Sequence, residues 1–252
     1  MGSDLENRAE RVDPPNPLDD RAQNETRTPK PLALVVFLEN VGHILGVPLP
    51  QWGMDLIDYV TEEYAKLLLR LLGAHRRYHR VIVLEDAQAT GPELANTLLR
   101  TSLTHQVDLL LLVHGLEGAL VGYRNQALVD QATFRPLVTA YQHNPALLDL
   151  RMVYGVNCYG ASLAPVWLSL GAQAVNGAAG VNWLPEPSLS VFLRAWLSGQ
   201  PYSQAVTRSY HAGVKVGRLL WRPDAQGRDH PCIASSQQLI FGRRDLTIFD
   251  RG

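Results

Sequence analysis

The stretch VDLLLLVHG, residues 107–115, decides the fold because its unbroken aliphatic run ends on His114 and Gly115. A short run of this kind is typical of a strand that is buried on both faces of a parallel sheet. The next such run, LRMVYGVN at 150–157, leads directly into Cys158. Ligands bind to open α/β sheets at the carboxyl ends of the strands. The sequence therefore predicts that His114 and Cys158 lie at the functional edge of one sheet.

Further strands and helices alternate along the chain on either side of these two runs. The other apolar runs that predict strands are LALVVFL at 32–38, RVIVLE at 80–85, GAQAVNGAAG at 171–180 and, at a sheet edge, QQLIFG at 237–242. Helical patterns occupy residues 54–73, 90–100, 188–199 and 203–213. Because strands alternate with helices, we expect a three-layer α/β/α sandwich around a mostly parallel sheet.

Composition limits the chain to one main domain. A chain of 252 residues that is 46% hydrophobic can bury a sizeable core. Residues 1–31 carry five prolines and many charges and lack apolar periodicity, so they are predicted to form a disordered N-terminal arm. Residues 32–252 are predicted to form a single domain.

The same numbers exclude several classes of function. A net charge of −1, from 23 basic and 24 acidic side chains, does not indicate a nucleic-acid partner. No apolar run approaches the roughly 18 residues of a membrane span, so no membrane association is expected. Two cysteines do not form a disulfide scaffold, which favours a cytoplasmic location. No cluster has metal-ligand spacing and no phosphate-binding loop occurs, so no metal or cofactor is expected.

The two strand ends together indicate nucleophilic chemistry. Consecutive parallel strands usually lie side by side, about 4.8 Å apart, so side chains just beyond their ends can reach one point. At such a point the thiolate of Cys158 is the attacking species, and a nearby imidazolium of His114 favours its formation. Gly115 fits this chemistry because a residue without Cβ lets a substrate approach the backbone N–H that holds an oxyanion.

The order of these motifs resembles the caspase-like cysteine peptidases, and most closely the bacterial branch called CHAT domains. His-Gly follows one apolar strand and Asn-Cys-x-Gly follows the next, with a separation of 158 − 114 = 44 residues; the spacing in caspases is about 50. The similarity extends over roughly residues 80–242. It includes the blocks VIVLEDAQATGPELANTLL, SLGAQAVNGAAGVNW, FLRAWLSGQPYSQAVTRSYHAG and HPCIASSQQLIFG.

The resemblance implies a cysteine endopeptidase with a caspase-like sheet. Cys158 would attack the peptide carbonyl while His114 accepts and donates the protons. The N–H groups of Gly115 and Cys158 would hold the oxyanion. Relatives that cut after arginine or lysine carry an acidic residue two positions before the cysteine. This chain has Val156 there, so a basic preference is not supported. Val156, Asn157 and Trp183 are candidate pocket residues; the alternative for Trp183 is packing under the following helix.

The caspase-like fold also implies that strand one lies beside strand three. Strand one ends in Glu39 and Asn40, so either side chain is a candidate for orienting the imidazole of His114. The alternative is that both are solvated loop residues. Glu117 and Asp130, on the segment after His114, are interpreted as ordinary surface charges.

Three rival interpretations stay open. A gated or inactive scaffold would keep the dyad without a formed pocket; gating by a regulatory partner or an activating protease would act at the arm or at the 213–230 loop. A class I glutamine amidotransferase would pair Cys158 with His230, but no glutamate follows that histidine at the expected place. An α/β-hydrolase would use Ser162, which lies too far beyond the strand for a nucleophile elbow. The primary interpretation is a peptidase acting on a protein or peptide substrate.

Overall fold

A six-stranded sheet forms the centre of the molecule in this computed structural model, which describes residues 30–39, 63–125 and 127–250. The spatial order of its strands is β2-β1-β3-β7-β8-β9. All neighbouring strands are parallel except β8 and β9, which are antiparallel. The strands are β1 (Leu32–Leu38), β2 (Arg80–Leu84), β3 (Gln106–Leu112), β7 (Leu150–Gly155), β8 (Ala174–Ala178) and β9 (Gln238–Gly242).

Helices cover both faces of this sheet, which confirms the three-layer prediction. The helices are α1 (63–71 in its described part), α2 (Ala74–Arg77), α3 (Gly91–Ser102), α4 (Gln131–His143), α5 (Ala164–Ser169), α6 (Ser188–Leu197), α7 (Tyr202–Leu220) and α8 (Pro231–Ser235). Alternate residues of the strands point to opposite faces, so each strand feeds two separate cores. One core joins the sheet to α6 and α7, and the other joins it to α3, α4 and α5.

The strand predictions are confirmed with small shifts at their ends. The strand β1 begins and ends as predicted, β9 is the edge strand, and β1 lies between β2 and β3. The strand β3 pairs directly with β7, so the strands before His114 and Cys158 are neighbours. Thr90 caps the start of α3, where its hydroxyl accepts the Glu93 N–H at 3.5 Å.

A small second sheet was not predicted. The strands β4 (His114–Leu116), β5 (Ala119–Val121) and β6 (Leu128–Val129) form an antiparallel meander. The strand β3 ends at Leu112, so His114 does not close that strand but opens β4. The apolar run continues through this change because Val113, Leu120 and Val129 are buried against the same core as α3 and α4.

Two other predictions need correction or fall outside the described residues. The helix predicted to end at residue 213 continues to Leu220, so only residues 221–230 of the supposed gating loop lack a helix. The reason is that Gly213 and Gly217 pack closely against Leu184, where their missing side chains let α7 approach the loop after β8. Residues 1–29 of the arm predicted at 1–31 lie outside the described residues, as does Asn40. Within the described ranges, no helix is long and apolar enough to cross a membrane.

A buried polar cluster fixes the sheet at the end opposite to the two catalytic candidates. Arg151 on β7 forms a bidentate ion pair with Asp108 on β3, in which Nε donates to Oδ1 at 3.0 Å and Nη2 donates to Oδ2 at 2.8 Å. Tyr78 donates its hydroxyl to Asp108 at 2.7 Å and accepts the indole N–H of Trp196 at 2.8 Å. Every member has a partner, which is the condition for a charged pair to be tolerated in a core.

Candidate active site

The ends of β3 and β7 remain paired up to the residues that carry the chemistry. Val156 N–H donates to the carbonyl of Leu111 at 3.1 Å, one step beyond the last strand residue of β7. His114 and Cys158 then leave the sheet at the same edge, and both side chains are partly buried. Sequence reasoning placed both residues at this edge; His114 lies there two residues beyond the end of β3, and its catalytic pairing with Cys158 stays a prediction.

Backbone contact joins the two segments directly. Gly115 is buried, and a Cβ built on it would overlap the carbonyl oxygen of Cys158. Only glycine leaves room for this approach. The residue after the histidine therefore touches the main chain of the cysteine, which brings the backbones of the two predicted partners together.

The chain turns sharply after Cys158. Tyr159 has φ +53°, a left-handed conformation, and its N–H donates to the carbonyl of Gly180 at 2.7 Å. The Ser162 hydroxyl donates to Tyr159 O at 2.6 Å and accepts the N–H of Gly118 at 2.8 Å. Ser162 is exposed, and its hydroxyl links the cysteine turn to the hairpin that begins with His114, which is a bridging role.

Asn157 fills the space between these segments. Its side chain is 2% exposed, and its amide donates to the carbonyl of Cys158 at 3.3 Å. A Cβ on Gly115, Gly155 or Gly160 would crowd the Asn157 side chain. Three glycines therefore make room for one amide. The structure places Asn157 as a support for the cysteine backbone, whereas the sequence suggested a residue of the pocket wall.

Asn182 is a site residue that sequence reasoning missed. Its backbone N–H donates to the sulfur of Cys158 at 3.3 Å, and its side-chain amide donates to the carbonyl of Val156 at 2.7 Å. Its side-chain oxygen accepts the N–H of Leu184 at 3.1 Å. The only sequence signal was its position beside Trp183, just past a strand end.

Aromatic rings form one border of the site. Trp183 is 39% exposed, and its ring meets Trp221 edge to face, with centroids 6.3 Å apart. Trp221 in turn stacks on His230 at 5.9 Å. The N–H of Trp183 donates to the Ser236 hydroxyl at 2.8 Å, which holds its backbone. Trp183 thus contributes an exposed aromatic surface and is not buried under the following helix.

The remaining candidates have the following places. Val156 is 6% exposed and belongs to the core under α6 and α7. Glu39 is 7% exposed, and one carboxylate oxygen accepts the N–H of Arg124 at 2.8 Å. Asp130 caps α4 by accepting the Ala132 N–H at 2.9 Å, and Glu117 is exposed. A role for Glu39 or Asn40 in orienting His114 stays a prediction.

A half-buried carboxyl group lies on the same loop as Trp183. Burial raises the pKa of Glu186, and a hydrogen bond from the Ser190 hydroxyl at 2.9 Å partly opposes this effect. Ser190 lies in the first turn of α6, so Glu186 is held at the start of that helix. Among residues 30–39, 63–125 and 127–250, no group of three or more histidine, cysteine or acidic side chains could hold a metal ion.

Comparison with known proteins identifies the architecture. No family model matches the sequence, and no curated protein matches it in sequence. Among solved structures, the Arg-specific cysteine proteinase gingipain R matches with a TM-score of 0.56, covering 86% of this chain at 12% identity. The fold is caspase-like. Caspase-1 from Spodoptera frugiperda aligns over 87% of this chain and 91% of its own, at 13% identity and a TM-score of 0.49. This chain spans 47% of the gingipain R chain. At 12% identity, the similarity to gingipain R concerns the fold alone.

Proposed function

We propose that this protein is a cysteine endopeptidase in which Cys158 is the nucleophile and His114 is the base. The observation that carries the proposal is the contact between Gly115 and the carbonyl of Cys158, since it joins the histidine and cysteine segments at one edge of the sheet. We further propose a CHAT-type enzyme of regulated bacterial proteolysis in the cytoplasm. That part rests on the motif order and on the two free cysteines.

The proposed reaction uses groups already positioned at this edge. The thiolate of Cys158 adds to the scissile carbonyl, and the N–H groups of Gly115 and Cys158 hold the resulting oxyanion. The carbon–nitrogen bond then breaks while the imidazolium of His114 gives its proton to the leaving amine. Water, deprotonated by His114, hydrolyses the thioester and regenerates the thiol. Asn182 supports this cycle through its N–H at the sulfur.

The surroundings also bear on the rival interpretations. His230, the partner that a glutamine amidotransferase would require, caps α8 by accepting the N–H of Cys232 at 3.2 Å and stacks on Trp221. Its ring is therefore used in holding the loop before α8. Ser162 bridges two backbone segments, which opposes its use as a nucleophile.

An electrophilic peptide probe tests the proposal. A panel of acyloxymethyl ketones with varied P1 residues is incubated with the full chain, and the adduct is located by peptide mass spectrometry. We expect alkylation of Cys158 that is lost in Cys158→Ala and falls at least about 100-fold in His114→Ala, because the base maintains the reactive thiolate. Cys232→Ala is the matched control and should label normally.

Hydrolysis of a peptide library then separates an enzyme from a scaffold. Cleavage by the wild type and none by Cys158→Ala supports a peptidase. A Cys158 that neither labels nor cleaves any peptide contradicts the proposal and favours the gated or inactive scaffold. Labelling that is unaffected by His114→Ala contradicts the assigned base.

A further inference from the structure

The face of the small sheet that carries His114 is apolar around the histidine, and two of its leucines are exposed. In the register of the meander, His114 is opposite Val121, Val121 is opposite Leu128, and Leu116 is opposite Ala119. Directly opposed residues project to the same side of a sheet, as do residues two apart along one strand. His114, Leu116, Ala119, Val121 and Leu128 therefore share one face.

The other face packs against the core, and among the apolar residues of the His114 face only the two leucines are accessible to solvent or a ligand. Leu120 and Val129, which alternate with the residues above, are fully buried among the core residues of α3 and α4. On the His114 face, Leu116 is 51% exposed and Leu128 is 52% exposed. Ala119 and Val121 share this face but are buried, each 8% exposed. We call Leu116, Ala119, Val121 and Leu128 the leucine platform.

The leucine platform lies within a short distance of His114. Residues two apart on a strand are about 6.8 Å apart, and neighbouring strands are about 4.8 Å apart. Leu116 is therefore one such step along the strand from the histidine, and Leu128 is two strands across. The platform contains no charged side chain in this register, so it offers an apolar surface beside the proposed base.

The chemistry of amide hydrolysis identifies what would contact this surface. When the carbon–nitrogen bond breaks, its electron pair goes to the leaving nitrogen, and the imidazolium of His114 supplies the proton that makes the amine. The leaving nitrogen must therefore lie beside His114. The side chain of the residue on the carboxyl side of the cut bond is attached to the carbon next to that nitrogen, so it lies against the surface around the imidazole.

We propose that the leucine platform is the primed-side subsite of the enzyme and selects substrates with an apolar residue directly after the cleaved bond. This inference rests on the proposed peptidase function. An aliphatic or aromatic side chain would gain by removing its own surface and that of Leu116 and Leu128 from water. A charged side chain would lose hydration there and find no counter-ion on the platform.

A peptide library that is randomised on both sides of the cleaved bond tests the subsite. The wild type should release fragments whose new amino-terminal residue is mainly leucine, isoleucine, phenylalanine or methionine. In matched peptides that differ only there, leucine should exceed aspartate in kcat/KM by about 10-fold or more, since one apolar group in a pocket is worth about 10- to 200-fold. The double variant Leu116→Thr, Leu128→Thr should reduce this ratio to about 3 or below.

Controls separate failure of the subsite from failure of the peptidase. Leu103→Thr removes a comparably exposed leucine near the opposite end of β3 and should retain the ratio. Hydrolysis of a peptidyl coumarylamide, which has no residue after the cut bond, reports the chemistry in each variant. If the wild type cleaves peptides without this preference, the subsite is overturned and the peptidase function is retained. If the double variant lowers the cleavage rates of all peptides equally, so that the ratio is unchanged, the subsite is also overturned. A wild type that cleaves nothing overturns both.

Discussion

The backbone N–H of Asn182 donates a hydrogen bond to the sulfur of Cys158 at 3.3 Å. Asn182 belongs to the loop after β8, whereas Cys158 follows β7, so the contact joins the ends of two adjacent strands. The Asn182 side chain strengthens the link because it also bonds to the carbonyl of Val156 and the N–H of Leu184. The position of the sulfur thus depends on a residue that the sequence does not mark as functional.

Replacement of Asn182 should lower both stability and thiol reactivity. In Asn182→Ala, two side-chain hydrogen bonds are lost, each worth about 0.5–1.5 kcal/mol. We expect the free energy of unfolding to fall and the rate of Cys158 alkylation by a peptide ketone to fall about 10-fold. Urea denaturation and timed labelling measure the two effects. Asn182→Asp keeps the bond from Leu184 but not the bond to Val156, so an alkylation rate between those of the wild type and Asn182→Ala is expected; equal rates in all three would contradict the role.

Addition of one methyl group at Gly115 should damage the site more than the fold. A Cβ there overlaps the carbonyl of Cys158, so the cysteine loop must move in Gly115→Ala. A displacement of about 1 Å can reduce turnover by about 100-fold. Peptide hydrolysis by the variant is compared with its thermal unfolding midpoint. Gly227→Ala is a control for backbone strain without contact: a Cβ at Gly227 meets no atom within 4 Å, but its φ of +76° strains alanine, so the unfolding midpoint should fall while hydrolysis is retained. Full activity in Gly115→Ala would mean that the contact is not essential.

Ser162 should act as a coupling residue and not as a nucleophile. Ser162→Ala removes the hydroxyl that accepts from Gly118 and donates to Tyr159. We expect peptide hydrolysis to fall about 10-fold, because the hairpin of His114 is less firmly held to the cysteine turn. Ser169→Ala, which removes only a bond to the carbonyl of Val166 on an exposed helix end, should have no effect. Complete loss of hydrolysis with normal alkylation of Cys158 would instead support a serine hydrolase.

The buried ion pair should contribute strongly to stability. Asp108 and Arg151 are almost completely inaccessible, with side-chain exposures of 0% and 1%. Asp108→Asn leaves a buried guanidinium without its counter-ion, which costs about 3–5 kcal/mol. Asp149→Asn breaks the partly exposed pair with Lys30 and should cost about 1 kcal/mol or less. Urea denaturation of both variants provides the comparison, and similar losses in the two would refute the argument.

Stability should fall as pH decreases through the range of histidine. Burial, together with the charges of His79 and Arg80, lowers the pKa of His105 below its usual value of 6.5. Between the lowered folded pKa and 6.5, the unfolded chain binds more protons than the folded one, so acid favours unfolding. His105 lies 3.1 Å from a nitrogen of His79, which makes a second positive charge costly.

Removal of the buried imidazole tests this linkage. His105→Gln should reduce the loss of unfolding free energy between about pH 7.5 and about pH 5.5, since the imidazole with the lowered pKa is absent. Chemical denaturation across this interval measures the slope for the variant and the wild type. An unchanged slope would show that other groups control the acid dependence.

The sequence predicted the sheet well because strands buried in a parallel sheet have continuous apolar runs in their sequence. The strand β1 was predicted to the residue, and the edge position of β9 was also correct. The meander was missed, since its three strands have only two or three residues each and carry no turn signal strong enough to separate them from a loop. The extension of α7 to Leu220 was missed because glycines at 213 and 217 suggest an end to a helix, while the structure uses them for close packing.

The sequence by itself determined that a histidine and a cysteine follow neighbouring buried strands, because chain order and apolar patterning fix which ends share an edge. Only the tertiary structure decided what surrounds them. The site also includes Asn182 and Trp221, which come from distant positions in the chain, and the leucine platform, which is assembled by strand register. Neither a contact between distant segments nor a strand register can be recognised from the local sequence. Local sequence encodes strand and helix, whereas contacts between loops arise only when the packed sheet brings their ends together.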